Sequence, residues 1–399
     1  MESHRNEFQI GILGGGQLAR MSMMAAQRMG LKAISLDEDS QSPAAQVGPF
    51  QRGSIHNPES IAQLMARCEK ITFENEFIRG STIREACHLA KFNQADVIPG
   101  IECLETIQDK LTQRQAYERA GVPSPKAVSA MRASELGFPC VLKARYGGYD
   151  GKGTIFINSP EEFEALKSQK ELSDWLAEEK VRFVSELAVM VVSTVPTTQS
   201  HSRFLTFPAM VTEQKNYVCD LVYPLADKTI QKRAEEVAIS AVKAVGGVGL
   251  FGVELFLTES GEILVNEMAP RPHNSGHYTL DWGGISQFEA HMTTVAGLIS
   301  HITHGSPTCM ANILGCDGAN DYLNGLSKVI KQHPEARMQW YGKAISKPGR
   351  KMGHLNVVSP YQESTATVIE ELKTKAIAAR TTFFEGWTQP TNSNQGEKN

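Results

Sequence analysis

The run Gly147-Gly-Tyr-Asp-Gly-Lys-Gly153 places four glycines within seven residues. No helix or strand interior accepts that, since each such glycine costs roughly 0.5–1 kcal/mol relative to alanine. Both flanks nevertheless read as strands, Cys140-Val-Leu-Lys143 before the run and Thr154-Ile-Phe-Ile157 after it. A flexible hairpin loop between two strands is therefore expected. Its backbone N–H groups can turn toward phosphate oxygens, and Lys152 adds positive charge. Lys143, on the preceding strand, can meet a phosphate as a single ammonium. The competing reading is a surface hairpin that binds nothing.

A second hairpin carries acids. Glu254 sits in Phe251-Gly-Val-Glu-Leu-Phe-Leu257 and Glu267 in Glu262-Ile-Leu-Val-Asn-Glu267, with a turn signal at Glu259-Ser-Gly-Glu262 between them. If Ser260-Gly261 are the two turn residues, Glu254 falls directly opposite Glu267. Cross-strand neighbours have Cβ atoms roughly 4.5–5.5 Å apart, so two carboxylates there repel and call for a counter-charge. Hard oxygen ligands with no Cys or His beside them suit Mg²⁺ bridging nucleotide phosphates. Two solvated acids on an open face are the alternative, because the pairing depends on the turn.

At the N-terminus, Phe8–Gly16 reads as a short strand ending in glycines. Leu18, Met21, Ala25 and Met29 follow at helical spacing, with Gly30 as the stop. Further strands at 31–36 and 70–73 and a helix over 60–68 continue the alternation. This predicts a parallel sheet in a Rossmann-like domain over 1–108. Gly14-Gly-Gly16-Gln-Leu-Ala19 fits G-x-G-x-x-A, with Asp37 about 20 residues on. Alone, that pattern is open between a dinucleotide site and a plain strand-to-helix turn.

A helix over 109–120 ends at Gly121-Val-Pro-Ser-Pro125, which marks a boundary. From there to about 300, strand patterns alternate with helices at 161–167 and 228–245. An α+β domain is expected, with a subdomain at about 125–180. A last region, 301–399, holds a strand at 353–358, a helix over 364–379 and a polar tail from Thr388 expected to be disordered.

After the second acid comes Met268-Ala-Pro-Arg-Pro-His-Asn-Ser-Gly-His277, a strand end crowded with Arg271, His273, Asn274, Ser275 and His277. Such loops beside a metal are where substrate groups sit. Lys347-Pro-Gly-Arg-Lys-Met-Gly-His354 brings three cations into five residues. It forms an anion site if folded around a phosphate and is a solvated turn otherwise.

Lys plus Arg number 40 against 44 Asp plus Glu, so nothing recruits a nucleic acid. The start, Met1 to Glu7, is polar and lacks the apolar core of a signal peptide, and no apolar run is long enough to span a bilayer. Seven scattered cysteines without a C-x-x-C pair fit a reducing cytoplasm.

Together, Gly147–Gly153, Asn266-Glu267 and His273-Asn-Ser-Gly-His277 resemble the ATP-grasp superfamily, and within it the carboxyaminoimidazole ribonucleotide synthetases. The resemblance implies an ATP-grasp fold, α/β and α+β, with a Rossmann-like N-terminal domain of biotin-carboxylase type. The middle domain, 109–300, would carry the glycine loop as a lid. It implies ATP contacts from Lys110, Lys143, the loop Gly148, Tyr149, Asp150, Gly151, Lys152, Gly153 and Thr154, and Asn266 with Glu267. Glu178, Glu179, Lys180 and Val181 would be the adenine hinge and Glu186 the ribose acid. Glu254 and Glu267 would hold Mg²⁺. Gly16, Gln17, Arg271, His273, Asn274, Ser275, Lys347 and Arg350 would face the aminoimidazole ribonucleotide, with Asp150, Lys347 and Arg350 closest to the chemistry.

The implied reaction is carboxylation of that ribonucleotide by ATP and bicarbonate through carboxyphosphate, in purine biosynthesis. A homodimer is implied. A fused mutase is not expected, and the product is expected to pass to a separate mutase. Another ATP-grasp carboxylase or a formyl-transferring ligase is the near alternative, a dehydrogenase or an ATP-binding sensor the more distant ones. Asn216 stands where a family histidine is expected, and the hinge is more charged than usual.

Overall fold

The computed structural model describes residues 6–148, 153–194, 204–299, 301–317 and 321–388. Its strands form three sheets among these residues. The first is parallel, in the order β3-β2-β1-β4, from β1 (Phe8–Leu13), β2 (Ala33–Asp37), β3 (Phe50–Arg52) and β4 (Cys68–Phe73). Helices α1 (Gln17–Arg28), α2 (Pro58–Met65) and α3 (Gly80–Ala90) cover it. The Rossmann-like expectation is met, with one boundary corrected. Cys68 does not end a helix; it opens β4 opposite Phe8. Asn57 caps α2 through the Ser60 N–H at 2.6 Å, and Pro58 takes the first helical position, so that helix starts and stops early.

Helices α4 (Ile101–Gln108) and α5 (Lys110–Ala120) lead onward. Asp109 caps α5 and Gly121, at φ 66°, ends it. A small antiparallel sheet follows in the order β5-β8-β6-β7, from β5 (Ala127–Ser129), β6 (Cys140–Ala144), β7 (Thr154–Ile157) and β8 (Trp175–Glu179), with α6 (Pro160–Gln169) against it. Lys143 pairs with Thr154, so Gly147–Gly153 bridges β6 and β7 as predicted.

The third sheet has nine strands. It contains β9 (Phe183–Ser193), β10 (Phe204–Thr206), β11 (Met210–Lys215), β12 (Val218–Pro224), β13 (Gly249–Thr258) and β14 (Ile263–Ala269). Between β12 and β13 runs α7 (Lys228–Val245), whose Ala234, Ala238, Ala241 and Val242 seal Val189, Phe251, Val253 and Val265 beneath it. Each fully buried aliphatic side chain there contributes about 1.5–3 kcal/mol. After β14 come a 3-10 turn, Asn274–Leu280, and α8 (Gln287–Val295).

The sheet does not stop there. β15 (Thr308–Leu314) pairs with β12 through Leu221↔Ala311 and Val222↔Met310, and β17 (Lys351–Val358) and β16 (Ala336–Trp340) follow. The region after 301 thus extends the central sheet, with α9 (Tyr322–Gln332) and α10 (Ala366–Trp387) on top. α10 outruns the expected 364–379 because its last turns bury Phe383 and Trp387. The tail expected to be disordered lies outside the described residues beyond Thr388.

Between β11 and β12, Asn216 (φ 52°) and Tyr217 (φ 63°) both adopt left-handed backbone in a two-residue turn. Asparagine suits that position, which gives Asn216 a conformational reason to be there.

Candidate active site

The β13–β14 hairpin closes with a three-residue loop. Leu257 pairs with Ile263, Thr258 N–H donates to Glu262 O at 2.9 Å, and Gly261 has φ 81°. The two-residue turn expected at Ser260-Gly261 is therefore corrected. That difference alone would set Glu254 opposite Asn266. A β-bulge between Glu254 and Leu255 shifts the register back, and Glu254 pairs with Glu267. Asn266 and Glu267 both meet lysines: Lys143 Nζ lies 3.3 Å from Asn266 Oδ1, and Lys110 Nζ bonds Glu267 Oε1.

Arg114 holds this bulge. Its guanidinium donates to Val265 O at 2.8 Å, to Asn266 O at 2.6 Å and to Glu178 Oε1 at 2.7 Å. Glu178 also takes Lys143 Nζ at 2.7 Å. Burial alone would push the Glu178 carboxyl up; Arg114 and Lys143 overcome it and hold it at about 2. The Glu178 side chain is therefore spent on the lysine and arginine network. The Glu179 amide itself bonds Lys126 O at 3.0 Å.

Burial also opposes the charge on Glu267, and Lys110 keeps its pKa low. The counter-charge demanded by opposed acids is thus supplied in part by protein. Two carboxylates and an amide oxygen remain a hard-oxygen set suited to Mg²⁺ shared with phosphates. Among the described residues, no cluster of three His, Cys, Asp or Glu forms a self-sufficient cage. Glu186 pairs with Phe256 while Ala188 pairs with Glu254, which puts Glu186 on the same face as Glu254.

Asp109 anchors the entry to the glycine loop. It takes Arg145 at 2.9 and 2.5 Å and the Tyr146 hydroxyl at 3.1 Å. Gly148 and Gly153 flank the loop, Gly153 at φ 79°. Tyr149, Asp150, Gly151 and Lys152 lie outside the described residues.

On the far side of Glu254 stands the 271–277 loop. Arg271 forms a two-point pair with Glu76 of the first domain at 2.5 and 2.8 Å. His273 Nε2 is 3.6 Å from Glu254 Oε1. Burial first, then Arg271 and Lys351, hold the His273 ring at about 3, so it stays neutral. Asn274 is buried in a mutual amide pair with Asn312, at 3.0 and 2.7 Å, and Ser275 Oγ lies 2.8 Å from His273 Nδ1. Lys347 and Arg350 lie on the exposed β16–β17 loop, where Arg350 Nη1 bonds Ile345 O at 2.8 Å.

The N-terminal glycines serve a packing purpose. A Cβ on Gly16 would lie 2.2 Å from Glu74 Oε1, and the Gly15 N–H is taken by Asp37 Oδ2 at 2.8 Å. Gln17 opens α1 beside them. A carboxylate therefore already sits at the start of α1, where a dinucleotide pyrophosphate would need to lie. Asp37, the acid of that pattern, spends its carboxylate on the Gly15 and Asp39 amides. The dehydrogenase reading fails on both counts. Burial raises the Glu74 pKa, while Asn75, Arg271 and the Leu18 amide act the other way.

Arg114, Glu74, Glu76 and Asp109 went unread in the sequence. Asp109, three residues before Thr112 at a helix start, carries a capping signal that pointed to structure only. The others gave no motif.

Three stretches match known families. Residues 8–108 match the ribonucleotide synthetase preATP-grasp domain, 117–288 the ATP-grasp domain, and 308–367 the phosphoribosylaminoimidazole carboxylase C-terminal domain. Fold and site together define an ATP-grasp protein. An N5-carboxyaminoimidazole ribonucleotide synthase of Staphylococcus aureus is 32% identical over 362 residues, which cover 88% of this chain and 92% of that one. The crystal structure of the Aspergillus clavatus N5-carboxyaminoimidazole synthase in complex with ADP and 5-aminoimidazole ribonucleotide superposes with a TM-score of 0.80 at 31% identity, covering 95% of this chain and 99% of that one. The chain belongs to the N5-carboxyaminoimidazole ribonucleotide synthase family. A phosphoribosylaminoimidazole carboxylase of Ogataea methanolica is 36% identical over 370 residues, 88% of this chain, and the chain spans 66% of its length. For three further fungal carboxylases that share is 63 to 65%.

Proposed function

We propose that the chain joins bicarbonate to the 5-amino group of 5-aminoimidazole ribonucleotide, with ATP converted to ADP and phosphate. The opposed pair Glu254–Glu267, ringed by Lys110, Lys143 and Asn266 and backed by the 271–277 loop, carries this reading. The pairing itself is compatible with any ATP-grasp ligase; membership of the N5-carboxyaminoimidazole ribonucleotide synthase family supports this acceptor.

Bicarbonate is a poor electrophile. In the first step its oxygen attacks the γ-phosphorus and the bond to ADP breaks, giving carboxyphosphate. The amine then attacks the carboxyl carbon, the carbon–oxygen bond to phosphate breaks, and the nitrogen gives up a proton. Lys110 and Lys143 offset charge on the transferring phosphoryl oxygens. Bound Mg²⁺ supplies further charge neutralisation there, and Glu254 and Glu267 are the residues that would hold it. Glu178 to Val181 serve as the hinge for the base through their backbone, and Glu186 receives the ribose. Arg271, His273 and Ser275 border the acceptor, with Gly16 and Gln17 at its far edge, while Lys347 and Arg350 take its phosphate. Asp150, in the lid, orders the loop or handles the proton, and closure of the loop excludes water from carboxyphosphate.

The same reading places the enzyme in the cytoplasm as a homodimer that releases its product to a separate mutase. No described helix is long and apolar enough to cross a membrane. ADP production is the test. It should require both bicarbonate and 5-aminoimidazole ribonucleotide, and turnover indifferent to the ribonucleotide would remove the proposed acceptor.

A further inference from the structure

We infer that Gln287 is a positioning residue for the reaction, setting His273 against Glu254 by gripping the 271–277 loop from behind. Gln287 is the first residue of α8 and is wholly buried. Its Oε1 accepts the His273 N–H at 2.9 Å. Its Nε2 donates to His273 O at 2.8 Å and to His277 Nδ1 at 2.8 Å. A single side-chain amide therefore reads both backbone groups of one residue and the ring of another. The reverse amide orientation would set N–H against N–H at His273, so only one orientation works.

The fit is close on both sides. A Cβ at Gly276 would lie 2.5 Å from Gln287 Oε1. The helix end that carries Gln287 is itself fixed: Ser286 and Glu289 form a reciprocal cap, and the Gln287 N–H donates to Thr279 Oγ1 at 2.9 Å.

The consequence falls on two imidazoles. His277 Nδ1 must accept, so its proton lies on Nε2 and the ring is neutral. Burial, with His354 beside it, also holds that ring well below the ordinary histidine range. His273 Nδ1 accepts the Ser275 N–H at 3.4 Å, so its proton too lies on Nε2, the atom that faces Glu254. Gln287 touches neither acid and acts through His273, as outer partners of metal ligands do.

The inference rests on the proposed function for its kinetic test. Gln287→Leu keeps the volume and removes all three bonds. Gln287→Glu keeps the acceptor for the His273 N–H and loses the donors. In Gln287→Leu, the Mg²⁺ activation constant and the KM for 5-aminoimidazole ribonucleotide are expected to rise about tenfold, with a smaller rise in Gln287→Glu. A purely structural glutamine would lower the melting temperature and leave both constants alone. A folded Gln287→Leu enzyme with both constants within about twofold of wild type overturns the inference. Wild-type protein that makes no ADP in response to the ribonucleotide instead removes the functional reading. Ring ¹⁵N spectra then decide: wild type should show His273 and His277 as Nε2–H tautomers, and both signals unchanged in Gln287→Leu would sink the positioning role.

Discussion

Glu254 and Glu267 face each other across the β13–β14 hairpin because Asn266 bulges out of the ladder between them and the turn. A hairpin of this loop length without the bulge would send Glu267 to the opposite face, toward the α7 core that Val265 occupies. The placement of Glu267 opposite Glu254 therefore depends on Arg114, whose guanidinium bonds the two carbonyls of the bulge.

Replacing Arg114 strands a buried carboxylate and frees the bulge. Arg114→Met should destabilise the protein by about 3–5 kcal/mol. Glu178→Leu added to it should recover part of that loss, since no unpaired buried acid remains. Urea unfolding midpoints of the single and double variants test this, and strict additivity of the two losses would contradict it.

Glu178 also links stability to acid. Its folded pKa, about 2, lies below an unfolded value of about 4.3. The contribution is therefore complete above about pH 4.3 and disappears as the pH falls toward 2, on the order of 3 kcal/mol in all. Stability measured between pH 5 and pH 2 should fall less steeply in Glu178→Gln than in wild type.

Either acid of the hairpin should be indispensable to turnover at ordinary Mg²⁺. Glu254→Gln and Glu267→Gln are each expected to lower kcat at least about tenfold, or 1.4 kcal/mol of barrier. Glu267→Gln should also loosen Lys110, raising the KM for ATP more than Glu254→Gln does. Steady-state kinetics over an Mg²⁺ series distinguishes the two.

Gly16 makes room for Glu74. Gly16→Ala should displace that carboxylate, because the new methyl would lie 2.2 Å from its Oε1. A destabilisation of about 1–3 kcal/mol is expected. Calorimetry with NAD(P)H should register no binding to wild type, since the start of α1 is already occupied by an acid.

Tyr217, 65% exposed at φ 63°, holds a conformation that favours glycine. Tyr217→Gly should stabilise the protein by up to about 1 kcal/mol and leave activity unchanged. Thermal unfolding reads the gain.

The elements that sequence revealed are those whose signals are local. Glycine density located the β6–β7 loop, helical spacing located α1 and α7, and turn residues located the acid hairpin. The acid pairing came out as expected although the turn did not, because a third loop residue and the bulge at Asn266 offset one another. Bulges leave little trace in a pattern of period two. The sequence was silent where function depends on distant partners. Arg114 reads as an ordinary polar residue of a helix, yet it meets Val265, 151 positions away. Glu76 reads as a loop acid until Arg271, 195 positions on, is placed beside it. The C-terminal region looked separate because its strands lie far along the chain from β12.

That continuity governs how the molecule can be made. β12 emerges from the ribosome long before β15, its neighbour in the sheet, and until then one edge stands bare with unpaired amides and carbonyls. The nascent chain must carry an adhesive rim through the synthesis of some eighty residues, a window of several seconds at typical elongation rates. A break engineered near residue 300 would make that rim permanent, and aggregation would be the outcome of expressing the first three hundred residues alone.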